Sequence, residues 1–130
     1  MVMFCMNKYH TGSCFIKSLK VGHLKYKKVI RVCIIEFDVN RYRDSLYEDF
    51  SIPLFEQFST AVIKRRAEFL AGRIAAQTIL KEEGVTATIG VQSDRSPQWP
   101  LGWNGSISHT DKYAIAVIAP KNEGIFLGVD

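Results

Sequence analysis

Thr60-Ala-Val-Ile-Lys-Arg-Arg-Ala-Glu-Phe-Leu-Ala-Gly-Arg-Ile-Ala-Ala-Gln-Thr-Ile-Leu-Lys-Glu-Glu83 is the stretch that decides the fold. Ile63, Ala67, Leu70, Ala71, Ile74, Ala75 and Thr78 recur three and four residues apart, which gathers them into one stripe of a helix. Ser59 or Thr60 supplies a side-chain oxygen for the N-cap, and Gly84 stands where a helix closes in a left-handed turn. The spacing predicts a helix over 60–83 that buries its stripe against a second layer. Gly72, inside the helix, costs about 1 kcal/mol relative to alanine, so it predicts a close backbone approach at that point.

Toward the N-terminus, Pro53 can open a short helical turn through Phe58, and residues 40–51 have no clear period and read as a loop. Residues 13–19 and 29–38 are rich in Val, Ile, Phe and Cys and read as strands, the second with Val32, Ile34, Ile35 and Phe37. Lys17, Lys20, Lys25, Lys27, Lys28 and Arg31 lie in and between them, and edge lysines of this kind discourage strand-to-strand aggregation. Toward the C-terminus the period shortens. Residues 86–91 read as a strand, and 93–104 as a loop carrying Pro97, Trp99, Pro100 and Trp103. Residues 105–109 and 113–119 read as two strands joined by the turn Thr110-Asp-Lys112, with a last strand over 125–130. The run 113–119 is apolar on both faces, as a central strand should be. The expected class is α+β, a long helix packed on a mostly antiparallel sheet, in one domain without repeat or linker.

Composition narrows the function classes. A chain of 130 residues that is 47% hydrophobic has enough apolar material for a core, which excludes a disordered or fibrous chain. No window approaches the roughly 20 apolar residues that span a bilayer, so no transmembrane segment is expected. The apolar start is too short for a signal peptide, and the protein is expected in the cytoplasm. Cys5, Cys14 and Cys33 form no C-x-x-C pair, and His10, His23 and His109 lack metal-ligand spacing. A net charge of +4 favours an anionic partner: a nucleic acid, an anionic membrane or a phosphorylated small molecule. A sheet that stacks nucleic-acid bases would interleave aromatic and basic residues, which 113–119 does not, so no nucleic-acid partner is expected.

Four features carry candidate chemistry. In Asp94-Arg-Ser-Pro-Gln-Trp-Pro100 two prolines stiffen a loop that can present Arg95 to a phosphate, or that simply covers the core with Trp99. In Gly105-Ser-Ile-Ser-His-Thr110, Ser106, Ser108 and Thr110 share one strand face and Ile107 and His109 the other. His109 can donate to a phosphate oxygen, or it can be an ordinary histidine satisfied by a neighbour. On the helix, Arg66 and Arg73 are seven residues apart and within roughly 20° of each other, so they can grip an anion or form a solvated face in which Arg65 and Glu68 pair. Gly128-Val-Asp130 ends a strand on a carboxylate, which suits a magnesium ligand and equally a plain strand end.

The order and spacing of these four blocks resemble the phosphopantetheinyl transferases of the enterobactin synthetase component D type. Lys64-Arg-Arg-Ala-Glu-Phe-Leu-Ala-Gly-Arg73 is similar to that family's helix signature, and Arg95-Ser-Pro-Gln-Trp-Pro100 to its Arg-x-Pro-x-Trp-Pro loop. Gly105-Ser-Ile-Ser-His-Thr110 is similar to its Gly-Ser-Ile-Ser-His-Ser/Thr strand, and Gly128-Val-Asp130 to the start of its Gly-Ile/Val-Asp-Ile-Glu metal motif. The resemblance covers about residues 60–130. It implies that residues 1–130 are the N-terminal portion of such an enzyme, one half of a pseudo-twofold fold whose second half is absent.

It further implies a transfer of 4′-phosphopantetheine from coenzyme A to a serine of an apo carrier protein, or of a carrier domain of a nonribosomal peptide synthetase, in siderophore synthesis. Coenzyme A would be the substrate and Mg2+ the cofactor. Arg95 would meet the nucleotide and its 3′-phosphate, with Arg66 and Arg73 as further candidates for the same anion. Ser108 would lie along the adenine pocket, His109 would touch the pyrophosphate, and Asp130 would ligate magnesium. No catalytic base is assigned within the chain: the glutamate two residues past Asp130 and the later Trp-x-x-Lys-Glu helix are not in it. The alternative is an inactive fragment that keeps at most weak binding of coenzyme A.

Overall fold

A computed structural model describes residues 2–5, 15–25, 29–58 and 60–121. The strands are β1 (Val2–Cys5), β2 (Ile16–Lys25), β3 (Val29–Phe37), β4 (Gly90–Val91), β5 (Pro97–Gln98), β6 (Trp103–His109) and β7 (Tyr113–Pro120). The helices are α1 (Ser45–Asp49) and α2 (Ile63–Glu82), with 3-10 turns at Val39–Arg41 and Glu56–Phe58. Five strands form one antiparallel sheet in the order β1-β2-β3-β7-β6, while β4 and β5 make a separate two-stranded ribbon. The α+β class read from the sequence is the class observed.

The α2 helix lies across β7 and β3. The register sets Cys33 opposite Ala116 and Ile35 opposite Ala114, and these four side chains are fully buried. The helix presents Ala67, Ala71 and Ala75, also fully buried. Small residues on both layers let helix and sheet approach closely, and Leu70 and Ile74 fill the gaps between them. At its C-terminal end α2 is tied to β3 by Arg31, which donates to Glu83 and, at 3.3 Å, to Glu82.

The opposite side of α2 is covered as well, by residues 39–58. Tyr47 Oη donates to the Arg66 carbonyl at 2.6 Å, Gln77 Nε2 donates to the Phe50 carbonyl at 3.2 Å, and Phe58 stacks on Phe69 with centroids 4.1 Å apart. Residues 40–51, expected as a loop, therefore carry part of a 3-10 turn and all of α1, whose Leu46 and Tyr47 are buried. Enclosure on two sides also explains why Phe69, Ala76, Ile79 and Leu80 are buried beyond the expected stripe. Removing Phe69, Ile79 or Leu80 from water contributes about 1.5–3 kcal/mol each, and the smaller Ala76 less.

The helix begins at Ile63, later than expected, and Ile63 is 56% exposed rather than part of the buried stripe. Thr60 does not cap it, and Ser59 lies outside the described residues. The N-cap is Val62 in an extended conformation, with no side-chain cap bond. Its carbonyl accepts Arg66 N–H at 3.1 Å, and the Arg66 side chain donates through Nε to the Ala61 carbonyl at 2.9 Å. Thr78 turns its hydroxyl back onto the Ile74 carbonyl at 2.7 Å. Gly72 is where its presence predicted close packing: a Cβ there would stand 2.7 Å from Ile107 Cγ2.

Other boundaries moved. β2 runs on to Lys25 with a bulge at Lys17, and β1 pairs along it, so Lys20 stands on an inner strand rather than on the expected edge; Lys17 pairs with Glu36 at 3.7 Å. Of the strand expected over 86–91 only β4 forms, because its partner β5 is two residues long. The loop expected over 93–104 contains β5 and the start of β6. β7 is flanked by β3 and β6, as its two-sided apolar pattern required. The strand expected over 125–130 lies outside the described residues.

Candidate anion-binding cleft

Arg95 is positioned by an unusual backbone. It has φ +73°, a left-handed conformation that side chains disfavour. The loop imposes it: Gln92 N–H donates to the Ser96 carbonyl and Arg95 N–H to the Gln92 carbonyl, both at 2.9 Å. Asp94 accepts from Ser96 N–H at 3.0 Å and from its hydroxyl at 2.5 Å. Those two bonds hold the Asp94 carboxyl below the usual carboxylate range. Farther along, Trp99 lies against Gly105 so closely that a Cβ there would come within 2.6–2.8 Å of three ring atoms. The ribbon and the indole together fix Arg95 beside α2.

Between this loop, α2 and β6 is a cleft of about 120 Å³. Its chemistry comes from Arg65, Glu68 and Arg73 on α2, Arg95 on the loop and His109 at the end of β6. Residues 65, 68, 69, 72 and 73 fall on one helical stripe and all line it. Phe58 seats two of the cations, with Arg65 Cζ 5.4 Å and Arg95 Cζ 5.9 Å from its ring centroid. Three guanidiniums face one carboxylate here, so the cleft is formally cationic. It is open to solvent on one side, and the enclosed part has room for a phosphate-sized group. Larger hollows of about 330 and 410 Å³ lie elsewhere, with cationic and acidic side chains mixed along their rims.

The five described candidates differ in placement. Arg95 and His109 face the cleft. Arg73 lines it too, but it is 4% exposed and Nη1 donates to the carbonyls of Ile89 and Gly90, each at 3.0 Å, with Cζ 4.6 Å over Phe69. Burial pulls its guanidinium down to about 10, and it stays cationic at neutral pH. Arg66 is not among the lining residues: Nη1 holds both oxygens of Asp44, at 2.7 and 2.9 Å. Ser108 stands on the other face of β6 from Ile107 and His109. Arg65 and Glu68 were not among the candidates. Seven-residue spacing from Arg65 to Gly72 marks the stripe that faces the cleft, and that was the signal available for them.

Asp130 lies outside the described residues. Among the described residues, no group of three or more His, Cys, Asp or Glu comes together as a metal site. Also among them, no helix is long and apolar enough to cross a membrane. Cys33 is fully buried.

A long helix on an antiparallel sheet, with a cationic cleft between helix, ribbon and strand end, defines an α+β domain. The chain belongs to the 4′-phosphopantetheinyl transferase family, matching the model of that family's N-terminal domain over residues 55–119. It is 40% identical over 95 residues to enterobactin synthase component D of Salmonella typhi, covering 73% of this chain and 40% of that protein. It is 38% identical over 93 residues to the protein of the same name in Escherichia coli, covering 70% and 43%. It is 37% identical over 71 residues to the 4′-phosphopantetheinyl transferase Npt of Nocardia iowensis, covering 54% and 32%. The chain thus spans less than half the length of these relatives.

Proposed function

We propose that the protein serves phosphopantetheinyl transfer in siderophore synthesis, and that this domain supplies the wall that meets the phosphates of coenzyme A. In the reaction a carrier serine hydroxyl attacks the pyrophosphate phosphorus bearing the pantetheine arm. The phosphorus–oxygen bond to the nucleotide breaks, 3′,5′-ADP leaves, and the serine proton passes to a base. Such a step is mostly positioning and charge neutralisation. The observation that carries the reading is the convergence of Arg65, Arg95 and His109 on a cleft of phosphate size. Family membership and the relatives' names supply the reaction class.

In this reading Arg95 grips a phosphate of the nucleotide end and His109 reaches the pyrophosphate. Ser108 borders the adenine, and Arg73 acts mainly by holding the β4 backbone against α2. Arg66 remains a candidate for the same anion and would first have to leave Asp44. Magnesium, with Asp130 as one ligand, belongs to the proposal, as do a cytoplasmic setting and a partner that is an apo carrier protein or carrier domain of a nonribosomal peptide synthetase. The basic charge would steer both an anionic nucleotide and an acidic carrier.

The test is calorimetric binding of 3′,5′-ADP and of coenzyme A, beside intact-mass detection of carrier loading with magnesium present. Saturable nucleotide binding that falls at least tenfold in Arg95→Ala and weakens with salt supports the reading. Absence of binding by the wild type, or binding indifferent to Arg95→Ala, overturns it.

A further inference from the structure

Glu68 is a carboxylate in a cleft of cations, and it is 9% exposed. A carboxylate there opposes the binding of any anion, so it needs a compensating role. Its Oε1 lies 3.7 Å from Nδ1 of His109, an electrostatic contact a few tenths of an ångström longer than a hydrogen bond. On the other edge of the same ring, Nε2 is 3.2 Å from Nη1 of Arg65. A guanidinium has no acceptor, so Arg65 must donate and Nε2 must accept. In the neutral ring that leaves the proton on Nδ1, the nitrogen that faces Glu68. Carboxylate on one edge and guanidinium on the other specify both the tautomer and the ring's orientation.

We infer that Glu68 is a positioning residue: it holds Nδ1–H of His109 so that Nε2 is the nitrogen offered to a phosphate oxygen, while Arg65 occupies Nε2 until that anion arrives. The inference rests on the anion-binding reading above for its ligand, though not for its geometry. With an anion bound, Arg65 is free to move from the ring to the anion; Nε2 donates to the ligand only when it carries a proton taken up from solvent with the anion, while Nδ1–H stays toward Glu68. Other cations lining the same cleft are Arg73, held by its carbonyls, and Arg95 on the loop. The pairing also accounts for a carboxylate one turn from Arg65 on the stripe that faces the cleft.

A purely electrostatic role and a positioning role predict opposite signs. If Glu68 only offset the cations, removing its charge would tighten anion binding. If it positions His109, Glu68→Ala weakens 3′,5′-ADP about three- to tenfold despite the added net positive charge, the size expected if the contact closes to one hydrogen bond in the complex. Glu68→Gln, whose amide oxygen still accepts from Nδ1–H, restores most of that loss. Independently, long-range nitrogen–proton NMR of ligand-free protein reads the His109 tautomer in an Arg65→Ala background, where only Glu68 acts on the ring: Nδ1–H in Arg65→Ala and in Arg65→Ala/Glu68→Gln, mixed in Arg65→Ala/Glu68→Ala. Tighter binding by Glu68→Ala, or an unchanged tautomer, overturns the inference. Should the wild type bind no nucleotide, the anion-binding reading fails, and the tautomer alone then decides for or against Glu68.

Discussion

Gly105→Ala should unseat Trp99 and, through it, Arg95. An added Cβ would lie 2.6, 2.7 and 2.8 Å from Cζ2, Cη2 and Cε2 of the indole. Carbon atoms rest at about 3.5–4.0 Å, so the ring must retreat by roughly 1 Å. It cannot do so alone, because Trp99 sits between Pro97 and Pro100 and directly follows the β5 strand paired with β4. The stability cost expected for overpacking of this kind is about 1–3 kcal/mol. The retreat also shifts the loop that aims Arg95, and a misplacement of about 1 Å can cost up to about a hundredfold where geometry matters. The assay is a double-mutant cycle by chemical denaturation, with 3′,5′-ADP affinity measured on each variant. In a Trp99→Ala background the same Gly105→Ala change should cost less than about 0.5 kcal/mol, since the obstructing ring is gone. Equal costs in the two backgrounds would refute the argument that Gly105 exists to seat the indole.

Arg95 allows a backbone test. Because its φ is +73°, Arg95→Gly should be more stable than Arg95→Ala by about 1 kcal/mol, the reverse of the order inside a helix or strand, while both lose nucleotide affinity alike. Denaturation midpoints check it, and an alanine variant as stable as the glycine one would contradict the strained geometry. Arg73→Met should destabilise by about 2–4 kcal/mol, since the buried Ile89 carbonyl and the half-buried Gly90 carbonyl lose their donor, and thermal unfolding would show this even if nucleotide binding were unchanged. Asp94 sets a pH limit on the loop. Its folded carboxyl is held below the unfolded value of about 3.9 by Ser96, so the contribution is complete above that value and is lost only as pH falls through the lower folded one. The Ser96 amide resonance should therefore stay constant from neutral pH down to about 4 and move only below it; a transition above that range would show that Asp94 does not hold the loop.

Much of the fold was legible because its signals are local. α2 is a long periodic run ended by Gly84, β7 is apolar on both faces, and the turn at Thr110 carries a hydroxyl that accepts from Lys112 and Tyr113 N–H. Gly72 was legible for a similar reason, since a glycine inside a helix needs an explanation and Ile107 supplies it; Gly105 was not, because the sequence suggested room there for a ligand against the backbone and the Trp99 indole fills it instead. Residues 40–51 misled because a five-residue helix has too few turns to show a period, and because Leu46 and Tyr47 are buried against α2 rather than by any local pattern. Ile63 misled because periodicity records apolar character, while the partner layer ends before the first turn of the helix.

The cleft divides the same way. Sequence alone determined that a cationic helix, a proline-stiffened loop with Arg95 and a strand ending in His109 occur in one chain, and their order supplied the family resemblance. Only the tertiary structure decided which arginines face the cleft. Successive helical residues point about 100° apart, so Arg65 meets His109 while Arg66 turns to Asp44. That rotation is set by how α2 beds between the sheet and residues 39–58, a balance of contacts far apart in the chain. Glu68 was hidden for the same reason: its partner is His109, 41 residues on, and only the packing of α2 against β6 brings the two together.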